Sequence, residues 1–449
     1  MTSAFTGRRV VVAGIAVSGL AVAEALLDRN AAVVVVDGRT GPGEQQSAER
    51  LRALGAEVRL GDAETPVDAD LVVTSPGWRP DQPLLAAALA NGIEVIGEPE
   101  LASRLRAGRA IWLGVTGTNG KTTTVGMLES ILRAAGLRAV ACGNVGLPLI
   151  TAVLTEPAYD VLAVELSSFQ LHWSTSLQFE ASTVLNVAPD HLDWHGSMEA
   201  YAADKAKIWN EGACALYNAD DEWSTRLARG KHDGHDFGLE PGHQFAVVDG
   251  WIEQYGIGGE RRLAPVDAVR LPGPHNLANA VAASGLAYLL NLHGDGPAIT
   301  ADAITSGLRS YAPGRHRNEV VAVDAEVTWV DDSKATNPHA AAASLSAYPS
   351  VVWVAGGLFK GADVDPLVRA HAQRLRGVVV IGVDRAPLLQ ALARHAPDVP
   401  VVEVNARDTG VMQDAVVAAG QLVLPGDTVL LAPAAASMDQ FRDYAERGD

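Results

Sequence analysis

The chain has 449 residues, is 48% hydrophobic and 20% charged, and carries a formal net charge of −18. That length suggests about three domains with sizeable cores, the composition excludes a disordered chain, and the negative balance argues against nucleic acid as a partner. Two cysteines, Cys142 and Cys214, make no disulfide framework and point to reducing cytoplasm, and no stretch is apolar for long enough to span a membrane.

Arg8-Arg9 followed by VVVAGIAVSGLAVAEALL imitates a signal peptide, but Glu24 and Asp28 interrupt the apolar pattern. The spacing instead predicts a strand over 10–14, a helix over 18–28 and a second strand over 32–37, the start of a doubly wound α/β domain. The turn Gly14 to Gly19 fits G-x-G-x-x-G except that Ala16 replaces the second glycine, which normally lets a pyrophosphate approach. Asp37 stands where a ribose-binding acid would. A dinucleotide and another nucleotide diphosphate both fit this pattern. A further strand over 71–75 ends in the turn Ser75-Pro76-Gly77, either a ligand position or a plain loop.

A second unit starts near Gly108. A strand over 111–115 leads into GVTGTNGKTTT, and a helical pattern covers 125–135. Strand, glycine turn and helix are what a phosphate loop needs. Gly117 and Gly120 let backbone N–H groups converge, Lys121 supplies a charge for the β/γ-phosphates, and the Thr122 hydroxyl can hold Mg²⁺. The match to G-x-x-x-x-G-K-[ST] is imperfect, since Val115 occupies the first glycine slot. A strand over 161–166 ends in Glu165, beside the loop as a Mg²⁺ ligand or else an acid in water. The strand expected over 183–187 runs into Pro189-Asp190-His191-Leu192-Asp193. His191 between two acids suits a metal, although alone it reads equally as a surface histidine. Helical spacing over 198–209 carries Lys205 and Lys207, by themselves a solvated basic face. In LPGPHNLAN, Asn276 and Asn279 share a helix face. They either read a base edge or serve as an N-cap and a surface residue.

The segment YAPGRHR, 311–317, reads as a linker into a third domain. Its Arg317 is either a phosphate clamp or a linker arginine in water. Strands over 327–330, 351–355, 378–381 and 428–431 alternate with polar loops and helices, which implies a mostly parallel sheet with ligands at the strand C-termini. Read singly, Lys334, Lys360 and Ser437 are ordinary loop residues.

TGTNGKT, ELSSFQL, NVAPDHLDWH, LPGPHNLAN, PGRHR, DDSKATN and PAAASMDQF follow one another across nearly the whole chain. The ordered set resembles the ATP-dependent Mur ligases of peptidoglycan synthesis, and DDSKATN with the Rossmann-like start is most similar to the branch that adds D-glutamate to UDP-N-acetylmuramoyl-L-alanine. The resemblance implies an α/β protein of three domains: a Rossmann-like UDP-sugar domain over 1–108, a central P-loop ATPase domain with a mostly parallel sheet over 109–312, and a Rossmann-like amino-acid domain over 313–449. It implies a cytoplasmic monomer, working through an acyl phosphate, with ATP and two Mg²⁺ ions.

By the same resemblance, Gly117, Thr118, Asn119, Gly120, Lys121, Thr122 and Thr123 hold the phosphates, and Asn276, Asn279, Arg317 and Asp332 the rest of ATP. Thr122, Glu165 and His191 bind metal, Lys205 is carbamylated, and Lys121, His191 and Lys205 serve catalysis. Val17, Ser18, Asp37, Gly38, Arg39 and Ser75 lie near UDP, and Asn144, Ser167 and Gln170 near the muramoyl part. Lys334, Thr336, Lys360, Ser437 and Tyr444 form the D-glutamate pocket. Tyr444 stands where the family often has Phe, and the chain ends at Arg447-Gly448-Asp449, short of the family's usual last residues. The competing readings are a folylpolyglutamate synthase or a Mur ligase adding another residue, an NAD-dependent oxidoreductase, and a nucleotide-binding regulator. The oxidoreductase leaves Lys121, Glu165 and His191 unexplained.

Overall fold

Short valine-rich runs, buried on both faces, pair side by side as parallel strands. The structure, a computed structural model, describes residues 5–62, 69–106, 110–209, 214–230, 234–258, 261–292, 298–405 and 410–449; the boundary expected at 108/109 and the unit start at Gly108 lie outside them. Three sheets carry the three domains.

The first sheet runs, in spatial order, Glu57–Leu60, Ala32–Asp37, Arg9–Ala13, Leu71–Thr74, Val95–Gly97, all parallel. The chain order reverses at Arg9–Ala13, so the turns after Ala13 and Thr74 flank the crevice where such sheets take ligands. After the last strand, the helix Glu98–Leu105 buries two carboxylates. Glu100 accepts the N–H groups of Thr175 and Ser176 at 2.9 Å each and the Ser176 hydroxyl at 2.6 Å. Glu98 accepts the N–H of Ile150 at 2.6 Å.

Burial pushes the Glu98 carboxyl up to about 7, only partly offset by the N–H groups of Ile150 and Leu149. Its pKa in the folded state therefore exceeds the unfolded value of 4.5. The folded state holds the proton more tightly, so stability is lost as pH rises between those two values, by about 3 kcal/mol across the window. Glu98→Gln is expected to flatten this part of the profile. Melting midpoints of both proteins at pH 5 and pH 8 would check it, and parallel curves would count against it.

The second sheet is ordered Arg262–Pro265, Trp251–Gln254, Phe245–Val248, Gly234–Phe237, Cys214–Asn218, Ala181–Val184, Ile111–Thr116, Val161–Glu165, Ala139–Gly143. It is parallel except for the two antiparallel pairings among the last three strands of one edge. The pairing Val115↔Glu165 brings the acid alongside the phosphate loop. The strand expected over 183–187 is instead Ala181–Val184. Leu185 still donates its N–H to Thr116, but Asn186 then turns to brace the loop, so the ladder stops early. The helix expected over 198–209 divides into an α-helix Met198–Ala206 and a 3₁₀ turn Lys207–Trp209. Trp209 is fully buried and gives its indole N–H to Ser182 O at 2.9 Å, which tightens the end of the helix.

The third sheet is ordered Glu319–Asp324, Val327–Asp331, Thr428–Leu431, Val351–Gly356, Leu375–Ile381, Val401–Glu403, with only the first pair antiparallel. The last strand in sequence inserts between Val327–Asp331 and Val351–Gly356. Three loops far apart in the chain thereby leave the sheet side by side. Trp353, fully buried, donates its indole N–H to Ala432 O at 2.7 Å and locks one of them.

The chain packs as two compact units. One comprises Met1–Val187, His191–Ala268 and Asn279–Arg309, with the first two sheets, and the other Ala188–Asp190, Val269–Ala278 and Ser310–Asp449, with the third. Among the described residues no helix is long and apolar enough to cross a membrane.

Candidate functional site

Gly120 takes φ +85° and a Cβ there would lie 2.4 Å from Asn279 Oδ1, so only glycine suits this corner of the loop. The helix Lys121–Ala134 begins directly after it, with Val125, Leu128, Ile131 and Leu132 buried, and aims its N-terminal dipole at the loop. Lys121 Nζ donates to the carbonyls of Gly117 and Thr118, at 2.9 Å each. Asn186, which sequence reading passed over inside NVAPDHLDWH, clasps the loop. Its carbonyl takes the N–H of Thr118, its side-chain oxygen that of Asn119, both at 2.9 Å, and its amide donates to Asn119 O at 3.1 Å. The signal was available: an amide just past a neighbouring parallel strand.

Thr122 Oγ1 donates to Glu165 Oε2 at 2.7 Å, and the Asn144 amide donates to Glu165 Oε1 at 2.8 Å. Glu165 is 1% exposed, so it is not an acid in water. A hydroxyl and a carboxylate held this close are hard oxygen ligands, and they fit Mg²⁺. Lys205 is also 1% exposed, which removes the solvated-face reading. Its Nζ donates to Gly117 O at 2.8 Å and lies 4.5 Å from the centre of the Tyr201 ring, whose hydroxyl meets Thr118 Oγ1 at 3.1 Å. His191 is exposed at φ +53°, heading the single-turn helix Leu192–His195, with its ring edge-on to Phe169 at 4.8 Å. Ser167 and Gln170 cap their own helix reciprocally: Gln170 Oε1 accepts the Ser167 N–H at 2.9 Å, and Ser167 Oγ accepts the Gln170 N–H at 3.2 Å. Thr123, Asn276 and Asn279 are buried, and the Asn276 amide donates to Pro272 O at 2.7 Å.

At the first sheet, a cavity of about 440 Å³ is lined by residues that include Val17, Ser18, Arg39, Ser75 and Trp78. Trp78 is the member that sequence reading missed. Gly38 and Asp37 are outside the lining. Asp37 is 3% exposed; one oxygen accepts the N–H of Ile15 at 2.9 Å and the other that of Arg39 at 2.9 Å, while both take guanidinium N–H groups of Arg39. Burial would raise this carboxyl, but the hydrogen bonds from Arg39 and Ile15 outweigh it and hold it below its ordinary value. Asp37 thus anchors the arginine that faces the cavity. Its oxygens are already engaged, which disfavours the nicotinamide-dinucleotide reading, where this acid must take the ribose hydroxyls.

In the third sheet's unit, the loop after Thr428–Leu431 donates the Ala434 N–H to Ala335 O, in the loop after Val327–Asp331, at 2.9 Å, and Leu358 and Ala436 exchange backbone bonds at 2.8 and 3.0 Å. These bridges join the segments bearing Lys334 and Thr336, Lys360, and Ser437. Lys334 Nζ lies 3.9 Å from the centre of the Tyr444 ring. Lys360 is exposed in a left-handed conformation, φ +53°, and Ser437 is buried. Arg447, buried, ties the last helix to this loop by donating to Ser333 O at 2.8 Å. Burial pushes the Asp332 carboxyl up to about 6 against the opposing Ser344 hydroxyl, Asn318 N–H and Arg317 charge. Among the described residues, the group of histidine and acids close enough to share a metal is His316, Glu319 and Asp331. Gly448 packs against that His316 ring, which is already bonded to Asp331.

Residues 8–97 match the N-terminal domain of the MurD-like Mur ligases, 115–287 the Mur ligase middle domain and 316–435 the Mur ligase glutamate ligase domain. A UDP-N-acetylmuramoylalanine–D-glutamate ligase of Thermobifida fusca is 52% identical, covering 99% of this chain and 97% of its own length. One of Streptomyces avermitilis matches with the same identity and coverage. The crystal structure of a UDP-N-acetylmuramate-alanine ligase, MurC, from Thermotoga maritima shares the fold, with TM-score 0.59, 19% identity and 98% of each chain covered.

Proposed function

Because this chain belongs to the Mur ligase family, we propose that it joins D-glutamate to UDP-N-acetylmuramoyl-L-alanine at the expense of ATP, as a cytoplasmic monomer in peptidoglycan precursor synthesis. The observation that carries this reading is the Thr122–Glu165–Asn144 chain of hydrogen bonds beside Lys121, in a sequence 52% identical over nearly its whole length to ligases of that name. The chain of bonds connects a group suited to ATP phosphates with a residue expected near the muramoyl peptide.

The terminal carboxylate of the alanyl substrate attacks the γ-phosphorus of ATP and ADP leaves. The amine nitrogen of D-glutamate then attacks the acyl carbon, and inorganic phosphate departs with the electron pair of the C–O bond. The first step brings anion to anion, so catalysis rests on alignment and on neutralising charge. Lys121 and the helix start do that for the β- and γ-phosphates. Thr122 and Glu165 would hold one Mg²⁺, and His191 a second; such ions supply positive charge that stabilises the developing phosphoryl transition state. Lys205 as a carbamate would orient the metal's water shell, where an ammonium would repel it. Asn276, Asn279, Arg317 and Asp332 take the adenosine side, while Val17, Ser18, Arg39 and Ser75, with Asp37 and Gly38 behind them, take UDP.

Lys334 and Lys360 are the cations for the D-glutamate carboxylates. Tyr444→Phe keeps the ring face under Lys334 and is expected to leave the KM for D-glutamate within about twofold; Tyr444→Ala removes it and should raise KM roughly three- to tenfold, the scale of a cation–π contact. Initial rates against D-glutamate concentration would decide between equal and unequal variants. The test of the function itself is phosphate release with ATP, UDP-N-acetylmuramoyl-L-alanine and each candidate amino acid. Release that requires D-glutamate supports the reading. Release with a folate and L-glutamate, or none with any amino acid, overturns it.

A further inference from the structure

Ser168, His195 and Asp204 have no part in the reaction described above, yet they form one buried line. His195 Nε2 lies 2.9 Å from Ser168 Oγ, and His195 Nδ1 lies 3.1 Å from Asp204 Oδ2. The same carboxylate oxygen meets His172 Nδ1 at 2.8 Å, and Lys207 Nζ reaches Asp204 Oδ1 at 2.9 Å. Burial alone would raise the Asp204 carboxyl, but the hydrogen bonds from His172, His195 and Lys207 hold it far below its ordinary value. An ionised carboxylate only accepts. His195 Nδ1 therefore carries a hydrogen toward Asp204, and Nε2 shares a hydrogen bond with the Ser168 hydroxyl. The order is that of an acyl-transfer triad, but Ser168 is 2% exposed and the His195 side chain 1% exposed, so no substrate reaches either.

Three aromatic rings lie against His195, Trp194 at 4.4 Å and two that lead on to the site. Phe169 stacks on it at 5.4 Å, with planes 6° apart, and also meets His191 at 4.8 Å. Tyr201 packs on it at 5.0 Å and carries Lys205 on its face. One imidazole thus touches the supports of both His191 and Lys205. It also joins the helix capped by Ser167 and Gln170 to the helix that bears Lys205.

We propose that His195 is a positioning residue that sets the directions of His191 and Lys205 together, and so governs how tightly the site takes magnesium. This rests on the roles given to those two residues above. Groups that orient a metal site from behind its ligands typically change metal affinity or activity by about 10- to 100-fold when removed.

The experiment compares wild type with His195→Ala, His195→Asn and Ser168→Ala. It measures the Mg²⁺ concentration for half-maximal ligation, the ¹³C signal of a lysine carbamate in labelled bicarbonate, and the melting midpoint. His195→Ala should raise the Mg²⁺ requirement roughly tenfold and weaken the carbamate signal. His195→Asn, whose amide can still donate to Asp204, should recover most of both. A fourth variant, Ile208→Val, trims a fully buried side chain in the 3₁₀ turn Lys207–Trp209 that follows the same helix and should lower only the midpoint. If His195→Ala does not fold, His195→Asn and Ser168→Ala carry the test, and Ser168→Ala should still move the Mg²⁺ requirement. A wild type with carbamate and magnesium dependence, beside variants that match it in both, overturns the inference alone. A wild type with neither overturns the roles of His191 and Lys205 and the inference with them.

Discussion

Lys205→Ala should reduce turnover by at least about 100-fold, the scale on which loss of one preorganised charge at a developing transition state is felt, while ATP still binds. The side chain is buried beside the phosphate loop, with Nζ on Gly117 O and over the Tyr201 ring. Truncation opens a space lined by a carbonyl and an aromatic face. A short carboxylate such as acetate or formate can enter it and stand in for the carbamate. Activity measured against increasing carboxylate should rise and then saturate. An alanine variant with full activity and no added carboxylate would remove the carbamate from the mechanism.

Gly120→Ala is the second large effect. The position holds φ +85°, and the new Cβ would meet Asn279 Oδ1 at 2.4 Å. A non-glycine residue in that region costs on the order of 1–3 kcal/mol, and the clash adds to it. The loop can relieve both only by moving its backbone amides and Lys121, the groups proposed above to hold the phosphates. ATP affinity should therefore fall roughly tenfold to a hundredfold, read by calorimetric titration with Mg-ATP. The melting midpoint should drop by only a few degrees, since the buried strand Ile111–Thr116 and the helix after it remain. A variant that binds ATP as wild type would show that this glycine is not required by the loop.

Much of the site was legible because its chemistry is local. GKTTT names a phosphate loop by the residues themselves, and Glu165 could be placed beside it because parallel strands deliver their ends to one edge. The central strands were equally legible, since fully buried strands read as unbroken valine and leucine runs, whereas edge strands such as Glu57–Leu60, Ala139–Gly143, Glu319–Asp324 and Val401–Glu403 were not read. Strand ends were less so. The ladder at Ala181–Val184 stops where Asn186 is drawn off to clasp the loop, a competition that no window of sequence contains. By spacing alone Lys205 reads as part of a solvated basic face, and packing buries it, because helical spacing tells which residues share a face but not what covers that face.

By itself the sequence determined three α/β domains, a glycine loop carrying the residues to hold phosphate, and membership of a ligase family, because glycine, lysine and hydroxyl at fixed spacing have few other uses and the motifs keep one order along the chain. Tertiary structure decided the partners: Asp37 behind Arg39, Asn144 and Thr122 on one carboxylate, Lys334 over Tyr444, and His195 between Ser168 and Asp204. Those pairings depend on which strand inserts beside which, and on burial that strengthens each hydrogen bond it encloses. Both are properties of the whole packed chain, which no single segment carries.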